Sequence, residues 1–203
     1  MAKRVRTLAG LDLVGGNVAL DFANTINSRT APEHDYIDTY EDLVAWAERV
    51  EILTADAVQA LVEHADMDRR GAERVLRRTH RMRDAIYQTF SAVAAAEPPL
   101  ATDLRRTLRA FGDAVARGSL ETERGGAKLR WSVGSTLSGV LDPIAYAAGD
   151  LLLASDRPPV KECPGCGWLF IDRSRNGRRR WCDMQVCGSR DKMRRFYRLR
   201  RSA

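Results

Sequence analysis

The strongest constraint on this 203-residue chain sits in its last forty-one residues, which contain all four of its cysteines: Cys163-x2-Cys166, then fifteen residues, then Cys182-x4-Cys187. Two close pairs joined by a short spacer suit a tetrahedral tetrathiolate site, because each pair curls around one ion and the spacer brings the pairs together. Gly165 and Gly167 allow the tight backbone turn that points amide hydrogens at the sulfurs. Four thiolates close the coordination sphere, so the expected cofactor is one structural Zn2+. Buried core thiols and a redox pair are the alternatives, but no βαβ pattern surrounds the Cys-x2-Cys. Iron–sulfur clusters usually use other spacings.

Charge separates the same segment from the rest. Residues 161–203 carry 13 Lys+Arg against 4 Asp+Glu, a net +9, whereas residues 1–160 carry 20 against 23, a net −3. A basic appendage on a slightly acidic body suits a polyanionic partner. Ser189 is positioned as a helix cap, and no breaker follows through Arg201. In that helix Arg190, Arg194, Arg198 and Arg201 recur at steps of four, four and three and share a face, with Lys192 and Arg195 beside them. Met193, Phe196 and Tyr197 form another face, expected to pack on Trp168, Phe170 or Trp181. Arg178, Arg179 and Arg180 extend the positive surface from the second of two short strands, Trp168–Ile171 and Arg180–Trp181, expected to flank the Asn176-Gly177 turn. The planar guanidinium fork suits phosphate oxygens or the guanine edge. Some of these arginines are instead expected to pair with the acidic body or to offset the site's −2 charge.

The remainder reads as mostly helical. Gly15-Gly16 between two apolar runs predicts a small N-terminal hairpin, and residues 30–38 read as loop. Thr39 with Asp42 three residues on predicts a capped helix carrying Tyr40, Leu43, Val44, Ala47 and Val50. Further helices are expected at 55–65, 70–96 before Pro98-Pro99, 102–116 before Gly118, and 137–155, with a hairpin at 119–133 around Gly125-Gly126. The fold class is thus mainly α with two small β-hairpins, plus a small treble-clef-like or ribbon-like zinc module of β-hairpin and C-terminal helix. Asp156-Arg157-Pro158-Pro159 divides a body at 1–157 from a module at 158–203. On its thin apolar complement the module should depend on its metal for folding, so chelation is expected to unfold it and spare the body. Apolar runs such as Leu151–Ala154 fall far short of the roughly 20 residues of a membrane span. The basic N-terminus leads into Gly10 and Asp12 without a leader-like core, and the expected location is cytoplasmic.

The run Cys163-x2-Cys166-x-Trp-Leu-Phe-x-Asp-x-Ser-x-Asn, followed by Arg-Arg-Trp-Cys182-x-Met-x-x-Cys187-Gly-x-Arg-x-Lys, resembles the CGNR-type zinc finger. Gly15-Gly16-x-x-Ala-Leu-Asp21-Phe-x-Asn24-Thr25 is similar to the opening of the ABATE domain, which precedes this finger in bacterial stress-induced transcription regulators. The resemblance implies a DNA-binding regulator, an assignment that within the family rests on positive charge. One position departs from the naming motif: Ser189 stands where the family has asparagine, which removes or shortens any contact that asparagine makes.

In the body, the Asp21, Asn24 and Thr25 cluster is the first candidate for a ligand site, and Asn27, Arg29, His34, Trp46 and His80 are further ones. Each also has an ordinary structural reading as cap, surface or core. No nucleophile elbow, phosphate-binding glycine loop or histidine–carboxylate metal motif is present, so no enzyme is expected. Two functions remain open: a regulator whose body senses a small molecule or partner while the finger binds DNA, and an adaptor whose finger engages protein or RNA.

Overall fold

The computed structural model describes residues 7–201, apart from the side chains of Glu123 and Arg201; the basic stretch 1–6 lies outside the described residues. A 3-10 turn (Leu8–Gly10) leads into seven helices and two hairpins: α1 Val18–Ala23, α2 Tyr40–Arg49, α3 Ala55–Met67, α4 Arg69–Ala94, α5 Ala101–Arg117, β1 Ser119–Glu123, β2 Gly126–Arg130, α6 Leu141–Leu153, β3 Val160–Glu162, β4 Leu169–Ile171 and α7 Ser189–Arg201. A π-helical turn, Met184–Gly188, runs directly into α7. No helix among the described residues is long and apolar enough to cross a membrane.

The helix starts follow local chemistry. Thr39 and Asp42 form the expected capping box, each side chain engaging the other's backbone N–H. Thr54 caps α3 through Ala57 N, and Asp68 caps α4 through Gly71 N. The long helix α4 is the spine of the body. Its buried stripe, Val75, Thr79, Met82, Arg83, Ile86, Tyr87 and Phe90, packs against α1, α2, α5 and both strands of the second hairpin. Helices α5 and α6 pack closely because Gly149 has no side chain: a Cβ there would lie 2.1 Å from the Phe111 ring.

The mainly helical architecture with two antiparallel hairpins is as expected, but one hairpin is elsewhere. Nothing around Gly15-Gly16 is a strand. Gly16 turns the chain at φ +74°, the Asn17 side chain accepts from Ala19 N at 2.8 Å, and the run from Val18 becomes the short helix α1. A local cap thus overrides a six-residue apolar run whose period cannot separate strand from helix. The expected hairpin at 119–133 is present, paired from Ser119↔Arg130 to Glu123↔Gly126. The other lies within the cysteine module, where β3 and β4 pair from Val160↔Ile171 to Glu162↔Leu169. It wraps the first cysteine pair, and does not join the two pairs as the Asn-Gly signal predicted.

Candidate metal centre and nucleic-acid interface

The strands β3 and β4 carry Cys163 and Cys166 on the knuckle between them. Cys163 N donates to Trp168 O and Gly167 N to Cys163 O, closing the knuckle. Gly167 is required there: φ is +74° and a Cβ would approach Arg29 Cβ to 2.7 Å. The second pair is delivered by a loop organised on Asp172. This buried carboxylate accepts from Ser174 N, Ser174 Oγ, Arg179 N and Lys161 Nζ, and the Lys161 ammonium beside it holds its ionisation well below the usual carboxylate range. Gly177 completes the predicted turn at φ +60°, flanked by loop where strands were expected. Cys182 follows it, and Cys187 comes from the turn that opens α7.

All four Sγ atoms lie within 4.8 Å of one another, and all four cysteines are buried. The Cys166–Cys182 and Cys182–Cys187 separations are 3.5 and 3.7 Å. A tetrahedral zinc with Zn–S near 2.3 Å would set its sulfurs about 3.8 Å apart, so the cluster fits the ion. Four thiols this close cannot all ionise without a cation: hydrogen bonds from Cys166 and Cys182 push Cys163 down, while hydrogen bonding with the ionised Cys163 pushes Cys166 up to about 12. A divalent ion removes that conflict, and with four protein ligands its role is structural.

The turn and α7 present the basic surface. Asp183 caps the turn, accepting from Val186 N at 2.7 Å, so Ser189 is not the cap: its backbone is helical, and its hydroxyl donates to Met184 O. Arg178, Arg180, Arg190, Lys192, Arg194, Arg195 and Arg198 are exposed. Arg195 pairs with Asp191 at 2.8 Å. Arg180 stacks on the Trp181 ring at 4.9 Å, and Arg180, Arg194 and Arg198 line a groove around Trp181 and Pro164. Arg179 is different. Its guanidinium binds the carbonyls of Trp181 and Cys182 and stacks on Phe170, which places it inside the metal module. The Arg201 side chain lies outside the described ones. The apolar face of α7 does not pack where expected. Trp168 and Phe170 are buried, and Phe196 and Tyr197 remain 52% and 56% exposed.

A family model described as "Putative stress-induced transcription regulator", ABATE, matches residues 16–155, and the CGNR zinc finger model matches residues 160–201. The chain belongs to the ABATE family. Its C-terminal module is a CGNR zinc finger holding one structural zinc. No curated protein matches the chain.

The ABATE body and the CGNR finger share one continuous core. Asn24, 1% exposed, donates through Nδ2 to Leu169 O and accepts from Leu169 N, both at 2.9 Å. Ile171 N donates to Gly15 O, Arg29 N to Cys166 O, and Trp168 Nε1 to Ile26 O. The outer edge of β4 is thereby paired by the body, as a third strand would pair it. From α4, Tyr87 and Ser91 donate to the Glu162 carboxylate on β3.

The ABATE signature residues are therefore placed at the domain junction. Asn24 grips the finger, and Thr25 is buried, donating to Phe22 O. Asp21 accepts from Gly15 N, and burial pushes its carboxyl up to about 6. Asn27 Oδ1 holds the amides of Glu33 and His34. Arg29 binds Ala23 O and Asp84 and stacks on Tyr87. His34 sits edge-on to Tyr36, His80 bonds Ile37 O, and Trp46 is core beside Phe22. Sequence reasoning missed Arg83. It is 2% exposed, forks onto both Asp35 oxygens and donates to Thr25 Oγ1. Its steps of four from Thr79 and three from Ile86 place it on the buried face of α4, a signal legible once that face is drawn.

Proposed function

We propose that the chain is a cytoplasmic DNA-binding transcription regulator, with the finger as the reader and the ABATE body as a sensor of a small molecule or partner. The observation that carries the proposal is α7, which projects from a rigid zinc-held base and leaves its basic side chains exposed. Residues 189–201 hold seven Lys or Arg against one Asp, and the groove at Trp181 gathers Arg180, Arg194 and Arg198 on one wall. A helix of this size and charge fits the major groove, and the guanidinium groups suit phosphates on its rim. Arg178, Arg180, Arg190, Lys192, Arg194, Arg195 and Arg198 are the proposed contacts, and Arg179 is assigned to holding the finger together. The proposal gives the chain no catalytic step.

One observation favours the adaptor reading: Met193, Phe196, Tyr197 and Leu199 are exposed on the same helix, and a solvated apolar stripe suits a protein partner. Salt-titrated binding of the zinc-loaded chain to duplex DNA, RNA and single strands separates the two. The regulator reading expects tightest binding to duplex and a logarithmic salt slope that becomes shallower by roughly two when Arg190 and Arg194 are both changed to Ala. Weak, salt-independent binding to all three nucleic acids would refute it.

A further inference from the structure

The junction of body and finger encloses a cleft of about 520 Å3, between the N-terminal segment, Asn27 and Tyr36 on one side and the zinc turn on the other. That volume lies in the range of small-molecule sites. Val14 and Val186 supply aliphatic surface, and Tyr36 and Trp168 supply ring edges and faces; the indole N–H of Trp168 is already engaged by Ile26 O. The walls are strongly anionic. Among the described lining residues Asp12 and Asp183 contribute one negative charge each and the zinc tetrathiolate two, with Cys166, Cys182 and Cys187 all on the lining, while Arg190 returns one positive charge, for a net of three negative. Among the described residues Arg190 forms no ion pair with either carboxylate. Arg190 also stands at the first turn of α7, where it belongs to the proposed DNA-binding face.

We propose that this cleft binds a small amphipathic organic cation, an ammonium group on an aryl or alkyl arm, and that its occupancy drives Arg190 outward onto DNA. The proposal rests on the sensor reading of the body and supplies its ligand class and site. The ammonium lies beside Asp12 and the thiolates, and the arm lies against Val14, Val186 and the rings, where aromatic faces add attraction for a cation. Arg190 lines the same cleft, so a bound ammonium repels its guanidinium toward solvent. By linkage the cation then raises duplex affinity, and duplex raises affinity for the cation.

The test uses the full zinc-loaded chain and three probes of nearly equal shape: 2-phenylethylammonium, 2-phenylethanol and 3-phenylpropanoate. Isothermal titration without nucleic acid, with methyl NMR reporting on Val14 and Val186, is expected to give at least a tenfold preference for the cation. Asp12→Asn, an exposed position, should weaken it about fivefold, the loss of one charge-assisted contact, and Arg190→Gln should strengthen it. Equal binding of the three probes, preference for the anion, no binding up to about 10 mM, or indifference to Asp12→Asn each overturns the site. Saturating cation should then tighten duplex binding several-fold, an effect absent in Arg190→Gln; unchanged or weakened duplex binding overturns the coupling. Duplex binding without probe is measured separately, so failure of the DNA reading and failure of the cleft are distinguishable.

Discussion

Replacing Asn24 with alanine tests whether the body and the finger are one folding unit. The side chain is buried, and its two 2.9 Å bonds satisfy both the N–H and the C=O of Leu169 on the edge of β4. Truncation strands two buried backbone groups at about 1–3 kcal/mol each, so the expected loss is roughly 2–6 kcal/mol. Against a whole-domain stability of about 5–15 kcal/mol this is large. Asn24→Asp is the sharper variant. It keeps the shape and can still accept from Leu169 N, but its other oxygen would face the Leu169 carbonyl with no hydrogen to donate, and its loss should equal or exceed that of alanine. Urea denaturation followed by far-ultraviolet circular dichroism, which reports the helical body, and by release of zinc to a colorimetric chelator, which reports the finger, reads both halves at once. The expected result is one coincident transition, shifted to lower urea in both variants, with faster zinc release. A loss under about 0.5 kcal/mol, or a shifted zinc-release transition beside an unmoved dichroism transition, would refute the reasoning, because the clamp would then stabilise the finger alone.

Zinc removal follows from the same geometry: chelation should lower the melting temperature of the entire chain in a single calorimetric transition, contrary to the sequence-based expectation that the body is spared, and an unchanged body transition after verified zinc loss would restore that expectation. Asp21 carries a raised folded pKa of about 6 against an ordinary 3.8, so its protonated form stabilises the fold; that contribution is complete below pH 4 and disappears as the pH rises through 6, for a total on the order of 1–3 kcal/mol. Asp21→Asn, which can still accept from Gly15 N, should flatten the stability profile between pH 4 and 6 and stabilise the chain at pH 8; an unaltered pH profile by denaturant titration counts against the assignment. Gly167→Ala sets a Cβ 2.7 Å from Arg29 Cβ at positive φ, a cost of about 2–4 kcal/mol from strain and overpacking together, to be read as a fall in denaturation midpoint with weakened zinc retention.

What the sequence revealed was whatever local chemistry decides. The Thr39–Asp42 box, the stop at Pro98-Pro99, the Gly125 hairpin and the four cysteines all act within a few residues of themselves, and each lies where its spacing put it. The misplacements have a common cause in long-range partners. Asn24 reads as an ordinary cap until Leu169, 145 residues away, is brought against it. The strand expected at Arg180–Trp181 cannot pair with β4, because β4 already has β3 on one side and Asn24 with Gly15 on the other. Arg83 looks like Arg77, Arg78 and Arg81 in the same helix, and only Asp35 distinguishes it. The apolar face of α7 was expected to pack on Trp168, Phe170 or Trp181, but Trp168 and Phe170 are already covered, Trp168 with its N–H on Ile26 O of the body and Phe170 under the Arg179 guanidinium of the finger itself.

That covering limits how the protein can transmit a signal. To swing the finger away, the chain would have to expose Leu169, Phe170 and Ile171, each worth about 1.5–3 kcal/mol when fully buried, and break the bonds from Asn24, Gly15 and Ile26. The sum approaches the stability of the whole fold, so a detached finger would be little more populated than the unfolded chain. A hinge between body and finger is therefore not an available switch. What remains adjustable is the turn from Asp183 to Arg190 and the mostly exposed helix beyond it, which pack chiefly on one another. Any effector that alters nucleic-acid binding must act through the charge or the order of that segment, with the body as the fixed wall against which it moves. Joining cysteines introduced at Val14 and Val186, which line the same cleft, with a thiol-reactive cross-linker long enough to span it should then abolish effector response while leaving basal binding intact, whereas retained response in the cross-linked protein would place the switch elsewhere.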